Sequence, residues 1–200
     1  MVLNGVKEPG HWPLVMIMVL CFGSLILAVY LFQNTNLLYG PTNIGHLIDP
    51  VIPIARSEID GLDEFSRQNI GEIRGRWVLV HIVTKSGCNG ACRESLHKTK
   101  QVRLMLNKDL IRVRRLAIVD GRVPEDVAIS WWRGHDYLLR AAASRRLIDI
   151  VRRVVGELIP EGTVVLMDPM GNFMMWYEAG FDPYGLKKDL KKLLYVSQVG

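Results

Sequence analysis

Hydrophobic and polar positions divide the chain into three kinds of pattern. The first is an unbroken apolar run, Pro13 to Phe32, with no charged residue. At about 1.5 Å per helical residue, twenty residues span roughly 30 Å, the hydrocarbon thickness of a bilayer. The run ends in Leu-Phe-Gln-Asn rather than at a small-residue cleavage site, so it reads as a retained transmembrane anchor, not a signal peptide. The second pattern is weakly periodic: residues 33–60 hold Gln, Asn, Thr, Gly and three prolines and read as a linker or extended arm. The third fills residues 61–200 and alternates β-rich runs with helix-period segments.

Within that third part, Glu64 to Ile70 is expected to form a short strand and Gly71 to Arg76 a turn. Trp77 to Val83 (WVLVHIV) reads as a buried central strand, and Val113 to Val119 as a second. Ala91 to Leu110 is expected to be helical, with Thr99 and Arg103 interrupting its apolar stripe. A longer excursion, Arg122 to Gly134, follows the second strand, and His135 to Leu158 then carries a broad helical face. Gly162 to Asp168 and Asn172 to Tyr177 read as two strands joined by a hairpin at Asp168-Pro169-Met170-Gly171. Asp182-Pro183 opens a last helix striped by Leu186, Leu190, Leu193 and Leu194. The order β-α-β-α-β-β-α requires a parallel first unit and an antiparallel last hairpin, hence an α/β fold with a mixed sheet flanked by helices. The domain plan is a cytoplasmic N-terminus (1–12), an anchor (13–32), the arm (33–60) and one folded domain (61–200).

Charge bears on topology. Lys7, offset by Glu8, is the only positive side chain before the anchor, and none follows it until Arg56. The positive-inside rule therefore favours a cytoplasmic N-terminus and a periplasmic C-terminal domain on the cytoplasmic membrane. The net charge of +5 is spread over Lys98–Arg103, Arg112–Arg115, Arg140–Arg153 and Lys187–Lys192, expected to be mainly solvated helix faces. No nucleic-acid recognition motif accompanies these clusters.

Candidate chemistry is concentrated at Cys88 and Cys92, a C-x-x-x-C pair between the first core strand and its helix. Such a pair either cycles between dithiol and disulfide or clips a soft metal such as Cu(I). As a staple it has little value, because closing so short a loop stabilises by only roughly 2 kcal/mol. The partial positive charge of a helix N-terminus favours a thiolate, which makes Cys88 the attacking thiol and Cys92, a turn later and more buried, the resolving one. Cys21 lies inside the anchor as a small apolar side chain. His81, seven residues before Cys88, is a hydrogen-bonded core histidine, a proton shuttle or a weak metal ligand. His97 is expected in solvent; Met167, Met170, Met174 and Met175 cannot all converge on one ion; Trp131 and Trp132 are either core or a docking patch.

The element order and the cysteine position resemble the thioredoxin superfamily. More specifically, Gly75-Arg76-Trp77, Cys88, Cys92 and Val164 to Gly171 resemble SCO/SenC proteins over about residues 60–195. These are membrane-anchored assembly factors of cytochrome c oxidase. The resemblance implies a thioredoxin-like exported domain, a cytochrome oxidase subunit or its assembly machinery as membrane partner, and two cysteines plus a histidine as Cu(I) ligands. That histidine would fall at about Pro160, and no histidine follows His135. Thioredoxin-like oxidoreductases place a cis proline at this point, a role that Ile159-Pro160 would fill. The leading expectation is thus oxidase copper-site assembly by thiol–disulfide exchange through Cys88, Cys92 and Pro160. Cu(I) carriage without turnover, or a non-catalytic scaffold with a permanent disulfide, are the alternatives.

Overall fold

The uninterrupted apolar run forms one helix, α1 (Trp12–Gln33), with Pro13 in its first turn, where a missing N–H costs nothing. It is long and apolar enough to cross a membrane. The computed structural model describes residues 10–34, 42–121 and 130–197. Lys7, Glu8 and much of the 122–134 excursion therefore lie outside the described residues. The chain forms two compact units, residues 1–42 and 43–200.

In the second unit the elements are β1 (His46–Pro53), β2 (Ile59–Gly61), α2 (Glu64–Asn69), β3 (Trp77–Val83), α3 (Gly90–Met105), β4 (Val113–Val119), β5 (Leu139–Ala143), α4 (Arg145–Val155), β6 (Val164–Met167), β7 (Asn172–Tyr177) and α5 (Pro183–Val196). One seven-stranded sheet runs β1-β7-β6-β3-β4-β5-β2. The β3-β4 and β4-β5 pairs are parallel, while β3-β6, β6-β7, β1-β7 and β2-β5 are antiparallel. The mixed α/β fold expected from the element order is the one observed.

Side-chain alternation sends successive residues of each strand to opposite faces. On one face Val78, Val80 and Ile82 join Leu116, Ile118 and Val165 beneath α4, whose Leu147, Ile148, Ile150 and Val151 are buried. Each such side chain contributes about 1.5–3 kcal/mol on burial. On the other face Trp77, Leu79, Val164 and Leu166 meet Val102 of α3 and Leu186, Leu190 and Leu194 of α5. The register slips between Leu166 and Met167, so Phe173 joins the first face while Met175 and Tyr177 join the second. The four methionines accordingly scatter: Met167 and Met175 lie in different clusters and Met170 is exposed.

Several local expectations change. The stretch expected as linker supplies two edge strands, and Pro50 and Pro53 are tolerated in β1 because an edge strand needs fewer ladder donors. Glu64–Asn69 is a helix, not a strand, because the Asp63 carboxylate caps it by accepting from Ser66 N at 2.7 Å. The expected helix 135–158 divides into β5 and α4, where Ser144 caps α4 by accepting from Leu147 N at 3.0 Å. Pairing with β4 and β2 on both sides overrides the low strand preference of Leu-Arg-Ala-Ala-Ala. The helix expected to reach Leu110 ends at Met105, before Asn107 at φ 53°. Arg115 and Arg140 stand on strands, not on helix faces.

The Asp168 hairpin and the Asp182 cap form as expected. Asp168 Oδ1 accepts from Met170 N and Asn172 N, and the two Asp182 carboxylate oxygens accept from Tyr184 N and Gly185 N. One buried charge was not singled out beforehand. Asp189 of α5 is 3 % exposed and accepts from Ile44 N, Gly45 N and the Tyr177 hydroxyl at 2.9, 3.0 and 3.1 Å. Burial, then the Asp189 charge, raises the Tyr177 pKa far above that of a free phenol. Gly45 packs closely here: a Cβ would sit 2.6 Å from Met175 Sδ and 2.7 Å from Tyr177 Cε1. Asp189→Ala leaves two amide donors without their acceptor and the Tyr177 hydroxyl with only Met175 Sδ at 2.9 Å, and is expected to cost about 3 kcal/mol in urea unfolding.

Candidate functional site

Cys88 lies in the tight loop that leaves β3, and Cys92 in the first turn of α3. Gly87, at φ 95°, makes the turn, its N–H bonding to Thr84 O at 2.9 Å. A Cβ at Gly87 would lie 3.0 Å from the Trp131 ring, so the loop is pressed against that indole. Cys88 and Cys92 form a disulfide with Cα atoms 5.1 Å apart. They are 1 % and 2 % exposed, equally buried rather than graded as expected. Around them Val83, Leu96, Ala117, Val119, Trp132 and Leu138 form an apolar cluster, with Trp131 packed against it. Trp131 and Trp132 meet edge to face at 5.7 Å, and the Arg140 guanidinium lies 5.8 Å from the Trp132 ring. The tryptophan pair is therefore a cover over the disulfide, with Trp132 in the core and Trp131 half-buried.

The loop before β6 closes the other side. A Cβ at Gly162 would come 2.8 Å from Ala91 O, so the loop backbone touches the first turn of α3. Glu161 Oε1 accepts from Asn89 N at 2.7 Å, placing a carboxylate at the same helix start that carries Cys88. Sequence reading missed Glu161, which is marked only by its position next to Pro160. Pro160 lies in the loop before β6, its carbonyl accepting from Thr163 at the entry to that strand. Ile159–Pro160 is trans, however; the one cis bond among the described residues is Asp49–Pro50. This loop meets the start of α3 through the Glu161 carboxylate at Asn89 N and the Gly162 backbone at Ala91 O.

Beneath α3 a polar cluster interrupts the apolar face. His81 is 2 % exposed, with Nε2 2.9 Å from Thr99 Oγ1 and Nδ1 3.3 Å from Ser95 Oγ. Thr99 donates to Leu96 O at 3.1 Å and accepts from Arg115 Nε at 3.0 Å. With its only proton used, Thr99 accepts from His81, which assigns the proton to Nε2 and leaves Nδ1 to accept from Ser95. Burial first, then the Arg115 and His135 charges, hold the His81 pKa well below the ordinary 6.5. The neutral core histidine is the arrangement found. Ser95, Thr99 and Arg115 were not assigned in the sequence, although Thr99 had marked the break in the helix stripe. His97 is exposed, as expected.

A Cu(I) site does not fit these residues. The histidine implied by the SCO/SenC resemblance would fall at Pro160, and both nitrogens of His81 are committed to hydroxyls. Among the described residues no three His, Cys, Asp or Glu side chains are grouped to hold a metal ion. What the arrangement can do chemically is exchange the Cys88–Cys92 disulfide.

Residues 77–197 match the family described as transmembrane-like, thioredoxin-like, C-terminal domain. No curated protein matches the chain by sequence. Among solved structures, apo Sco1 of Thermus thermophilus is similar at 16 % identity and TM-score 0.54, covering 76 % of this chain and 96 % of its own. Copper-bound ScoI of Arabidopsis thaliana is 17 % identical at TM-score 0.49, over 64 % of this chain and 89 % of its own. A thiol:disulfide interchange protein from Bacteroides sp. is 14 % identical at TM-score 0.48, over 78 % and 94 %.

Two predictions follow the geometry. The unfolded state takes up a proton near pH 6.5 that native His81 refuses, so stability is full above that pH and falls as pH drops below it. Urea midpoints compared at pH 7.5 and pH 5 should show this loss, and His81→Gln should reduce it. Removing the carboxylate at the helix start with Glu161→Gln should leave more of the helix field for a thiolate. The disulfide then becomes easier to reduce, by about 10–20 mV in a glutathione redox titration.

Proposed function

Since this chain belongs to the family of transmembrane-like, thioredoxin-like C-terminal domains, we propose that it is a membrane-anchored thiol–disulfide exchange protein acting through Cys88 and Cys92. The observation that carries this reading is the disulfide itself, seated where β3 hands over to the first turn of α3. In the reduced form, Cys88 thiolate attacks one sulfur of a partner disulfide. A mixed disulfide forms and the second partner sulfur leaves as a thiolate. Cys92 thiolate then attacks Cys88 Sγ, the mixed bond breaks, and the partner departs as a dithiol carrying two electrons. The disulfide described above is the oxidised end of that cycle, and a dithiol donor of the same membrane compartment returns it to the reduced form.

The anchor is α1, and the charge distribution around it supports a cytoplasmic N-terminus with the folded domain on the periplasmic side of the cytoplasmic membrane. An oxidising compartment suits a protein whose site is a disulfide. The SCO/SenC-like motifs support a partner among the copper-site cysteines of cytochrome c oxidase or its assembly machinery. Pro160 then shapes the loop beside the pair rather than lying cis against the sulfur, and His81 stays neutral beneath it.

The test is capture. Cys92→Ala should accumulate a mixed disulfide through Cys88 in membranes, seen as a reductant-sensitive band that Cys88→Ser does not give. Identification of the captured protein by mass spectrometry should return an oxidase subunit or assembly factor. Full oxidase assembly with both cysteines changed to serine, and no captured species, would overturn the reading.

A further inference from the structure

Arg115 is a buried cation whose contacts among the described residues are all neutral. It is 6 % exposed on β4, under α3. Its Nη2 donates to Leu96 O, its Nε donates to Thr99 Oγ1 at 3.0 Å, and its Nη groups lie 3.4–3.5 Å from His135 Nδ1. Its neighbours Arg112, Arg114 and Arg140 pair with Asp109, Glu72 and Asp63, but among the described residues no carboxylate reaches Arg115. A guanidinium withdrawn from water without a counter-charge carries an uncompensated desolvation cost. That cost shows as a pKa lowered to about 9, through burial first and then the Arg103 charge.

This group borders a cavity of about 220 Å³ that Lys100, Arg103, His135, Asp136 and Tyr137 also line. Lys100 Nζ is held by Gly134 O at 2.8 Å, and Arg103 Nε by Val113 O at 2.7 Å. Three cations therefore face one carboxylate. Because His135 Nδ1 accepts from Arg115, its other ring nitrogen carries the proton and is a further donor. Donors approach from β4, from α3 and from the loop before β5, which is more than a planar carboxylate with two oxygens can use. A phosphate group offers oxygens in tetrahedral directions and a charge near −2, which suit donors converging from separate elements: Arg115 Nη1, the Arg103 guanidinium beyond its Nε, and the Lys100 ammonium.

We propose that this cavity binds a small tetrahedral oxyanion of the phosphate class, held by Arg115 from within and by Lys100 and Arg103 at the rim. The ion supplies a counter-charge that the described residues do not give Arg115. The site is separate from the cysteine pair and does not rest on disulfide exchange.

The test uses the full chain in nanodiscs of zwitterionic lipid, titrated with inorganic phosphate against chloride at matched ionic strength. Isothermal titration should show one saturable site for phosphate and none for chloride. The His135 ring signal reports in parallel. In the free protein its pKa is lowered to about 4 by burial, then by Arg115, Lys100, His97 and Arg140, with Asp136 as the adjoining acid. A bound dianion should raise that midpoint. Lys100→Gln and Arg103→Gln, at exposed and half-buried positions, should each weaken phosphate binding roughly tenfold while leaving the thermal unfolding midpoint close to that of the parent. A second set of nanodiscs with anionic phospholipid separates the sources. A His135 shift with free phosphate supports a soluble anion, and a shift appearing only with anionic lipid supports a headgroup phosphate. No saturable phosphate binding and no His135 shift in either disc overturns the proposal, as does binding that both variants leave unchanged.

Discussion

The seating of α3 on β3 and β4 is the constraint on which the site depends. Apolar packing by Leu96 and Val102 supplies the attraction, but apolar contact alone does not set a helix's position along a sheet. Thr99 does, because its one hydroxyl must meet His81 from β3, Arg115 from β4 and Leu96 O at once. Buried polar groups tolerate little displacement, since each lost bond exposes a desolvated donor or acceptor to an apolar surrounding. With α3 so placed, its first turn lies at the end of β3, and Cys92 is brought to Cys88.

Both ends of this arrangement are electrostatic. At the start of α3, the helix field favours an anion, and Glu161 already supplies one through Asn89 N. A thiolate at Cys88 shares that field with a carboxylate, so the balance between disulfide and dithiol is set partly by a residue from the loop before β6. Beneath the middle of the helix, Arg115 keeps His81 and His135 neutral by its charge after burial has removed water from both. The same strand pair thus supports an apolar floor under the cysteines and a positively lined cavity further along α3.

The thioredoxin-like character read from the element order and the C-x-x-x-C pair holds at the level of family, and the fold is similar to that of Sco1 of Thermus thermophilus. The departure at Pro160 has a structural counterpart. The loop that would present a copper histidine presents Glu161 and Gly162, and its proline is trans. His81, seven residues before Cys88, is turned to serving the core. The chain retains the cysteine pair without the third donor.

The sequence by itself determined the elements whose signal is local. Twenty apolar residues make α1, β-branched runs make β3 and β4, Asp168 and Asp182 make their turn and cap, and the cysteine spacing marks the site. Tertiary structure decided the rest. Leu139–Ala143 is a strand because β4 and β2 offer it hydrogen bonds on both edges, which no local preference of three alanines encodes. His46–Pro53 joins the sheet because β7 has an open edge, despite two prolines that read as linker. Arg115 belongs by sequence to a cluster expected on solvated helix faces, and no local pattern marks Glu161. Their roles come from partners sixteen and seventy-two residues away. A periodic pattern records which face of an element is apolar; it does not record which buried polar group on another element will answer it.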